Sequence, residues 1–215
     1  MDDPRDTVKK GYTQGNYAEE FRQRDSLTEF EERWFERFAD QIPEEGHVLD
    51  LGCGIGVPYD RELVDRGFDV TGVDFTEKHI DAARQNVPEA TFILEDISEY
   101  EPDRTFDGLI CLYTLFHLPK ADHPQMIERM ARLLRPGSPL LLTTGAAEGD
   151  SSDQDWCGGP MTWSSLDPGT YRDLLTESGF ELLAAEYEGS PDADEHHWWA
   201  MARKSEGAGR AAPRR

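Results

Sequence analysis

The order of apolar and polar stretches from residue 47 to residue 203 predicts an α/β fold, a parallel sheet with helices on both faces. Two observations carry this. Apolar runs of strand length recur, each followed by a polar stretch of helical period. The connections between them are short and marked by glycine, proline or a capping residue.

The elements follow in order. His47–Leu51 is a short apolar strand. Pro58–Arg66 reads as a helix with proline in its first turn and Gly67 just past its end. Asp69–Asp74 is a strand, and Thr76–Asn86 is a helix that Thr76 caps. Thr91–Glu95 and Phe106–Leu112 are strands. Asp122–Leu134 is a helix stopped by Arg135-Pro136-Gly137, and Leu140–Thr144 is a strand. Residues 145–166 are rich in Gly, Ser and Asp and show no clear period. Asp167 caps a helix to Ser178 that Gly179 ends, and Glu181–Glu188 and His196–Arg203 are the last two strands. Ahead of the sheet, residues 26–41 form an amphipathic helix, with Leu27, Phe30, Trp34, Phe35 and Phe38 on one face. Ser26 is its expected cap, with Glu29 completing a capping box. Residues 7–24 are polar, with aromatics at Tyr12, Tyr17 and Phe21.

A chain of 215 residues is long enough to bury a sizeable core as one domain. No run approaches the ~20 apolar residues of a membrane span. The start, Met1-Asp-Asp-Pro-Arg-Asp, has no apolar stretch of a secretory signal. Cys53, Cys111 and Cys157 make neither a disulfide framework nor a paired zinc spacing, so the expectation is a reduced, cytoplasmic protein with no metal. The net charge of −22 makes nucleic acid and anionic membranes poor partners. Five lysines against 17 arginines, with 22 aspartates and 22 glutamates, suggest a halophilic surface, on which salt screens self-repulsion. The tail 205–215 is basic and low in apolar residues, and disorder is expected there.

Chemistry concentrates after the first strand, in Val48-Leu-Asp50-Leu-Gly52-Cys-Gly54-Ile-Gly56. Glycines let the backbone turn sharply and let a ligand approach, and the next helix points its N-terminus at the same space. The spacing is G-x-G-x-G, where a dinucleotide loop wants G-x-G-x-x-G. Asp50 would repel a pyrophosphate and attract an ammonium or sulfonium, so a cationic nucleoside suits the loop better than NAD. The second strand ends at Asp74, whose carboxylate can accept from both ribose hydroxyls. Asp96 ends the third and can accept from an adenine amino group. Leu112 and Tyr113 close the fourth as an apolar wall.

These blocks, with Phe106-Asp107-Gly-Leu-Ile-Cys111 and Leu134-Arg-Pro-Gly137, resemble the class I (Rossmann-like) S-adenosylmethionine-dependent methyltransferases over residues 12–203. The resemblance implies a doubly wound seven-stranded sheet of order 3-2-1-4-5-7-6 with the last strand antiparallel. It implies S-adenosyl-L-methionine as cofactor, with Asp50, Gly52, Cys53 and Gly54 at its methionine end, Asp74 and Phe75 at the ribose, and Asp96, Ile97 and Leu112 at the adenine. It also makes residues 1–41 a helical lid that brings Tyr12 to the cofactor and Tyr17 to the substrate, over a domain of residues 42–204. Tyr113, Trp156 and Trp163 are candidate substrate walls, and His117 is the candidate general base. The fourth strand ends Cys111-Leu-Tyr-Thr, which lacks the Asn-Pro-Pro-Tyr of enzymes that methylate bases or glutamine. A small-molecule acceptor is the leading expectation, for a monomer or homodimer. The alternatives are an RNA or protein modifier, supported by the basic tail alone, and a non-catalytic S-adenosylmethionine-binding protein.

Overall fold

The computed structural model describes residues 4–16, 26–189 and 197–206. Its centre is a seven-stranded sheet made of β1 (His47–Leu51), β2 (Asp69–Asp74), β3 (Thr91–Leu94), β4 (Gly108–Cys111), β5 (Pro139–Gly145), β8 (Phe180–Glu188) and β9 (His197–Lys204). Their order is β3-β2-β1-β4-β5-β9-β8. The first five are parallel, and β9 runs antiparallel to both β5 and β8. The order reverses between β1 and β4, and that switch point opens a crevice at the carboxyl ends of the strands.

Alternation along the strands builds two cores. β1 sends Leu49 and Leu51 to one face, where Met126, Ile127 and Met130 of α5 (His123–Leu133) and Tyr171 and Leu175 of α6 (Pro168–Glu177) cover them. Val48 faces the other way, onto Trp34, Phe35 and Phe38 of α2 (Glu29–Ala39) and Leu63 of α3 (Tyr59–Asp65). Each such large apolar side chain removed from water contributes about 1.5–3 kcal/mol. A third cluster seats α4 (Glu77–Asn86) through Ile80 and Ala83 on Phe92 and Cys53. No helix of the described residues is long and apolar enough to cross a membrane.

Two expectations change. The capping box of α2 sits two residues later than expected: Thr28 is the N-cap and Glu31 its partner. The tertiary fold selects this frame, because buried Glu31 also accepts from the Tyr59 hydroxyl at 2.6 Å. Residues 4–14, the start of the segment read as a polar part of a helical lid, form a helix, α1 (Pro4–Gln14). And residues 145–166 hold a two-stranded hairpin, β6 (Gly149–Trp156) with β7 (Gly159–Ser165). Its turn residues Cys157 and Gly158 have φ of 49° and 85°, the backbone of a type I′ turn, with cysteine where asparagine is usual.

Candidate active site

The crevice at the switch point is a cavity of about 890 Å³. Gly52, Cys53 and Gly54 form one wall, Asp74 and Phe75 the next, and Asp96 and Ile97 the far end. Leu112, Tyr113, Thr114 and His117 close the opposite end, and Tyr12 of α1 roofs it. The strand ends therefore bring nearly all the sequence candidates together. Asp50 is different: it is 2 % exposed and stands behind the loop, facing Asp60 of α3. Tyr17 lies outside the described residues.

The glycine loop is built by β1 and β2. The Gly52 and Cys53 amides donate to the Val73 carbonyl, so the loop folds back over the end of β2. Gly52 has φ +86°, and a Cβ there would lie 2.2 Å from the Thr114 hydroxyl oxygen. At Gly54, φ +55°, a Cβ would meet nothing within 4 Å, because that backbone faces the open cavity. Asp74 ties the loop to the sheet. Its Oδ2 accepts from the Gly54 amide at 3.1 Å, and its Oδ1 accepts from the Thr76 amide at 2.7 Å. Oδ2 also has the His79 Nδ1 at 3.5 Å, and Oδ1 keeps a further lone pair for a ligand hydroxyl. At the far end, Asp96 Oδ1 accepts from the Ser98 amide and hydroxyl at 2.8 and 2.7 Å.

The electrostatics favour a cation. The lining carries six carboxylates (Asp6, Asp74, Glu77, Glu95, Asp96 and Glu99) against Arg5, Lys9 and Lys78. Burial and the charges of Asp60, Asp74 and Asp50 push the Cys53 thiol well up, so it stays protonated and fills space. Burial also pushes the Asp60 carboxyl well up, and the charge of the adjoining Asp50 adds to this. This cradle fits S-adenosylmethionine. A glycine-rich loop whose Gly54 opens on the cavity, the Asp74 carboxylate bonded to it and a carboxylate-rich lining match a cationic nucleoside, and the same lining would repel a dinucleotide pyrophosphate.

The acceptor end centres on His117, in a 3-10 turn, Leu115–His117, after β4. Its Nδ1–H donates to the Thr162 carbonyl at 3.3 Å, which leaves Nε2 to accept from the Tyr12 hydroxyl at 2.8 Å. Part of the ring faces the cavity, but Tyr12, Phe116 and Trp163 surround the rest. Burial lowers its pKa from 6.5 to about 4, against the raising effect of the Thr162 carbonyl and Asp74. The imidazole is neutral at physiological pH. His117 and Leu118 also wall a second groove of about 520 Å³, lined by Pro4, Phe116, Pro119 and Trp163. Trp156 packs edge-on between Tyr12 and Trp163, with ring centroids 5.9 and 5.7 Å away.

Residues 48–137 match the model of a methyltransferase domain family. Among curated proteins the chain is 31 % identical over 178 residues to 27-O-demethylrifamycin SV methyltransferase of Amycolatopsis mediterranei, covering 75 % of this chain and 64 % of that one. It is 36 % identical over 103 residues to the ubiquinone biosynthesis O-methyltransferase of Coxiella burnetii, covering 46 % and 43 %. The chain thus spans less than two thirds of either relative's length. Its fold is similar to that of magnesium protoporphyrin IX methyltransferase from Synechocystis with bound SAM, at TM-score 0.71 and 20 % identity over 95 % of this chain and 99 % of that one.

The chain is thus similar to methyltransferases over its central residues 48–137, and its fold is that of an S-adenosylmethionine-binding methyltransferase.

Several residues of this methyltransferase fold carry no local sequence signal as site residues. Tyr59 lines the cavity from the first position of α3, although its neighbours suggest a simple helix start. Glu188 accepts from the Tyr113 hydroxyl at 2.6 Å and from the Trp199 indole at 2.9 Å. His197 packs edge-on against Tyr113 at 4.8 Å and lies 3.4 Å from Glu188. His196 lies outside the described residues.

Proposed function

We propose that this chain transfers a methyl group from S-adenosylmethionine to a small-molecule nucleophile, with His117 as the group that takes up the acceptor's proton. When bound, the cofactor supplies an electrophilic methyl group on a sulfonium. The chain supplies the rest. Asp74 and the glycine loop hold the ribose and the methionine end, and Asp96 and Ile97 hold the base. α1 and the hairpin exclude water, which strengthens every charge interaction in the site. Positioning of the acceptor against the methyl carbon supplies roughly 7–11 kcal/mol of the barrier.

The observation that carries the proton role is the neutral imidazole of His117, whose Nε2 lone pair faces the cavity side and accepts from the Tyr12 hydroxyl at 2.8 Å. An acceptor O–H or N–H placed where the Tyr12 hydroxyl now sits would hydrogen-bond Nε2. Its proton would pass to Nε2, while the bound cofactor would supply the methyl group. The groove beyond His117, floored by Phe116, Pro119 and Trp163, gives the acceptor's body an apolar seat. The relatives named for rifamycin and ubiquinone methylation support a small, largely apolar acceptor.

Calorimetry with S-adenosylhomocysteine tests the cofactor half of this reading, and absence of binding would overturn it. Incubation of cell extract with the protein and methyl-labelled cofactor tests the transfer half. Label is expected in the small-molecule fraction; label in RNA or protein instead would replace the proposed acceptor class.

A further inference from the structure

The acceptor end holds a stack of three aromatic rings. Phe35 lies on Tyr59 with centroids 5.6 Å apart and planes 16° apart, and Tyr59 faces Tyr113 at 6.3 Å and 17°. Tyr113 is the outermost ring and the one most open to the cavity. Both tyrosine hydroxyls donate to glutamates, that of Tyr59 to fully buried Glu31 at 2.6 Å and that of Tyr113 to Glu188 at 2.6 Å. Tyr113 is also held in an unusual backbone state. Its φ is +53°, in the left-handed region that a bulky residue rarely adopts, while its amide is pinned to the Thr143 hydroxyl. Such backbone strain gathers where the position of a side chain matters.

A phenol that donates to a carboxylate has a more electron-rich ring, and an electron-rich ring face attracts a cation. Glu31 and Glu188 therefore tune the two rings that meet the cavity beside Gly52 and Leu112. We propose that Tyr113, backed by Tyr59 and tied to Glu188, is the cation-receiving wall that distinguishes the charged sulfonium of S-adenosylmethionine from the neutral thioether left after transfer. The inference rests on the cofactor reading above. It assigns the chain a means of favouring substrate over product that acts on charge, since the two ligands differ by one methyl group and one positive charge. The charged and titratable groups facing the Tyr113 ring are Glu188 from β8, His197 from β9, Tyr59 from α3 and Glu31 from α2. None of them is a fixed cation.

The test is the ratio of affinities for S-adenosylmethionine and S-adenosylhomocysteine, measured by calorimetry on the full chain and on Tyr113→Leu, Tyr113→Phe and Glu188→Gln. The ratio is expected to move toward the homocysteine form about tenfold in Tyr113→Leu and about threefold in the other two. Affinity for S-adenosylhomocysteine itself should change less than the ratio does. If Tyr113→Leu does not fold, the two isosteric variants decide the matter alone. An unchanged ratio in folded variants overturns the wall. Failure of the unmodified chain to bind either ligand overturns the cofactor reading, and the wall with it.

Discussion

The floor of the cavity and its roof are held in different ways. The floor is the glycine loop with Asp74 and Asp96, fixed by backbone bonds into β2 and by side chains buried in the sheet. The roof is α1 resting on the hairpin. It is held by close backbone approach at Gly11 and Gly15, by the Asn16 amide on the Cys157 carbonyl at 2.8 Å, and by a few side-chain bonds. Those include Tyr12 with His117 and Arg5 with Asp122 at 2.6 Å. A floor woven into the sheet cannot move without unfolding it. A roof seated through a few contacts can be lifted while the sheet stays intact, which is what admitting a ligand and then excluding water requires.

Each of the following outcomes presses on that contrast. The largest effect is expected at the junction of floor and roof: His117→Ala should lower the rate of labelled product by about 100-fold or more, the usual weight of a general base. Cofactor affinity should hardly change. Asp74→Ala removes the tie between Gly54 and Thr76 as well as a ribose acceptor, and S-adenosylhomocysteine should bind about 100-fold more weakly by calorimetry. If its binding were undiminished, the ribose site would lie elsewhere. Gly11→Leu attacks only the roof. A Cβ at Gly11 would lie 2.1 Å from the Pro160 carbonyl oxygen, so α1 must lift. Product formation should fall roughly 10-fold while cofactor affinity stays within about threefold. A parallel loss of both would mean that roof and floor are one unit.

Two smaller effects concern stability. His117 has a pKa of about 4 in the fold against 6.5 in the unfolded chain. Between those values the unfolded chain takes up a proton that the fold refuses, so stability should decline as pH falls from about 6.5 toward 4. His47 and His123, also lowered by burial, act with the same sign. Urea midpoints across this range should slope less in His117→Asn; equal slopes would show that the ring titrates freely. Beneath the loop, Asp60 carries a raised pKa, so the fold needs a proton that the unfolded chain gives up at neutral pH. Asp60→Asn should raise the melting temperature at pH 7, and a fall would show that the Asp50–Asp60 pair is stabilising as it stands.

The floor was the legible half. Strand ends, glycine spacing and acids at fixed places in the chain are local features, and β1, β2 and the cavity walls follow from them. Of the roof, the hairpin was not legible, because β6 has no apolar alternation: seven of its eight residues are exposed, so its sequence carries no period. It is a strand because β7 beside it packs on α1 through Met161, and because Cys157-Gly158 adopts a turn that the pair Asn-Gly usually announces. The shifted capping box has a similar cause, since Thr28 and Glu31 win over Ser26 and Glu29 once Tyr59 reaches Glu31.

By itself the sequence determined the strand–helix order, the cradle after the first strand and the carboxylates at the next two strand ends. Periodicity, glycine spacing and the charge of a side chain act within a few residues or through the fixed geometry of a parallel sheet. Tertiary structure alone decided which residues meet from distant segments: Tyr12 on His117, Asp60 behind Asp50, and Tyr59 and Tyr113 on glutamates 28 and 75 positions away. Nothing local encodes those pairs. They arise where three helices, the segment after β4 and the end of β8 meet around one crevice.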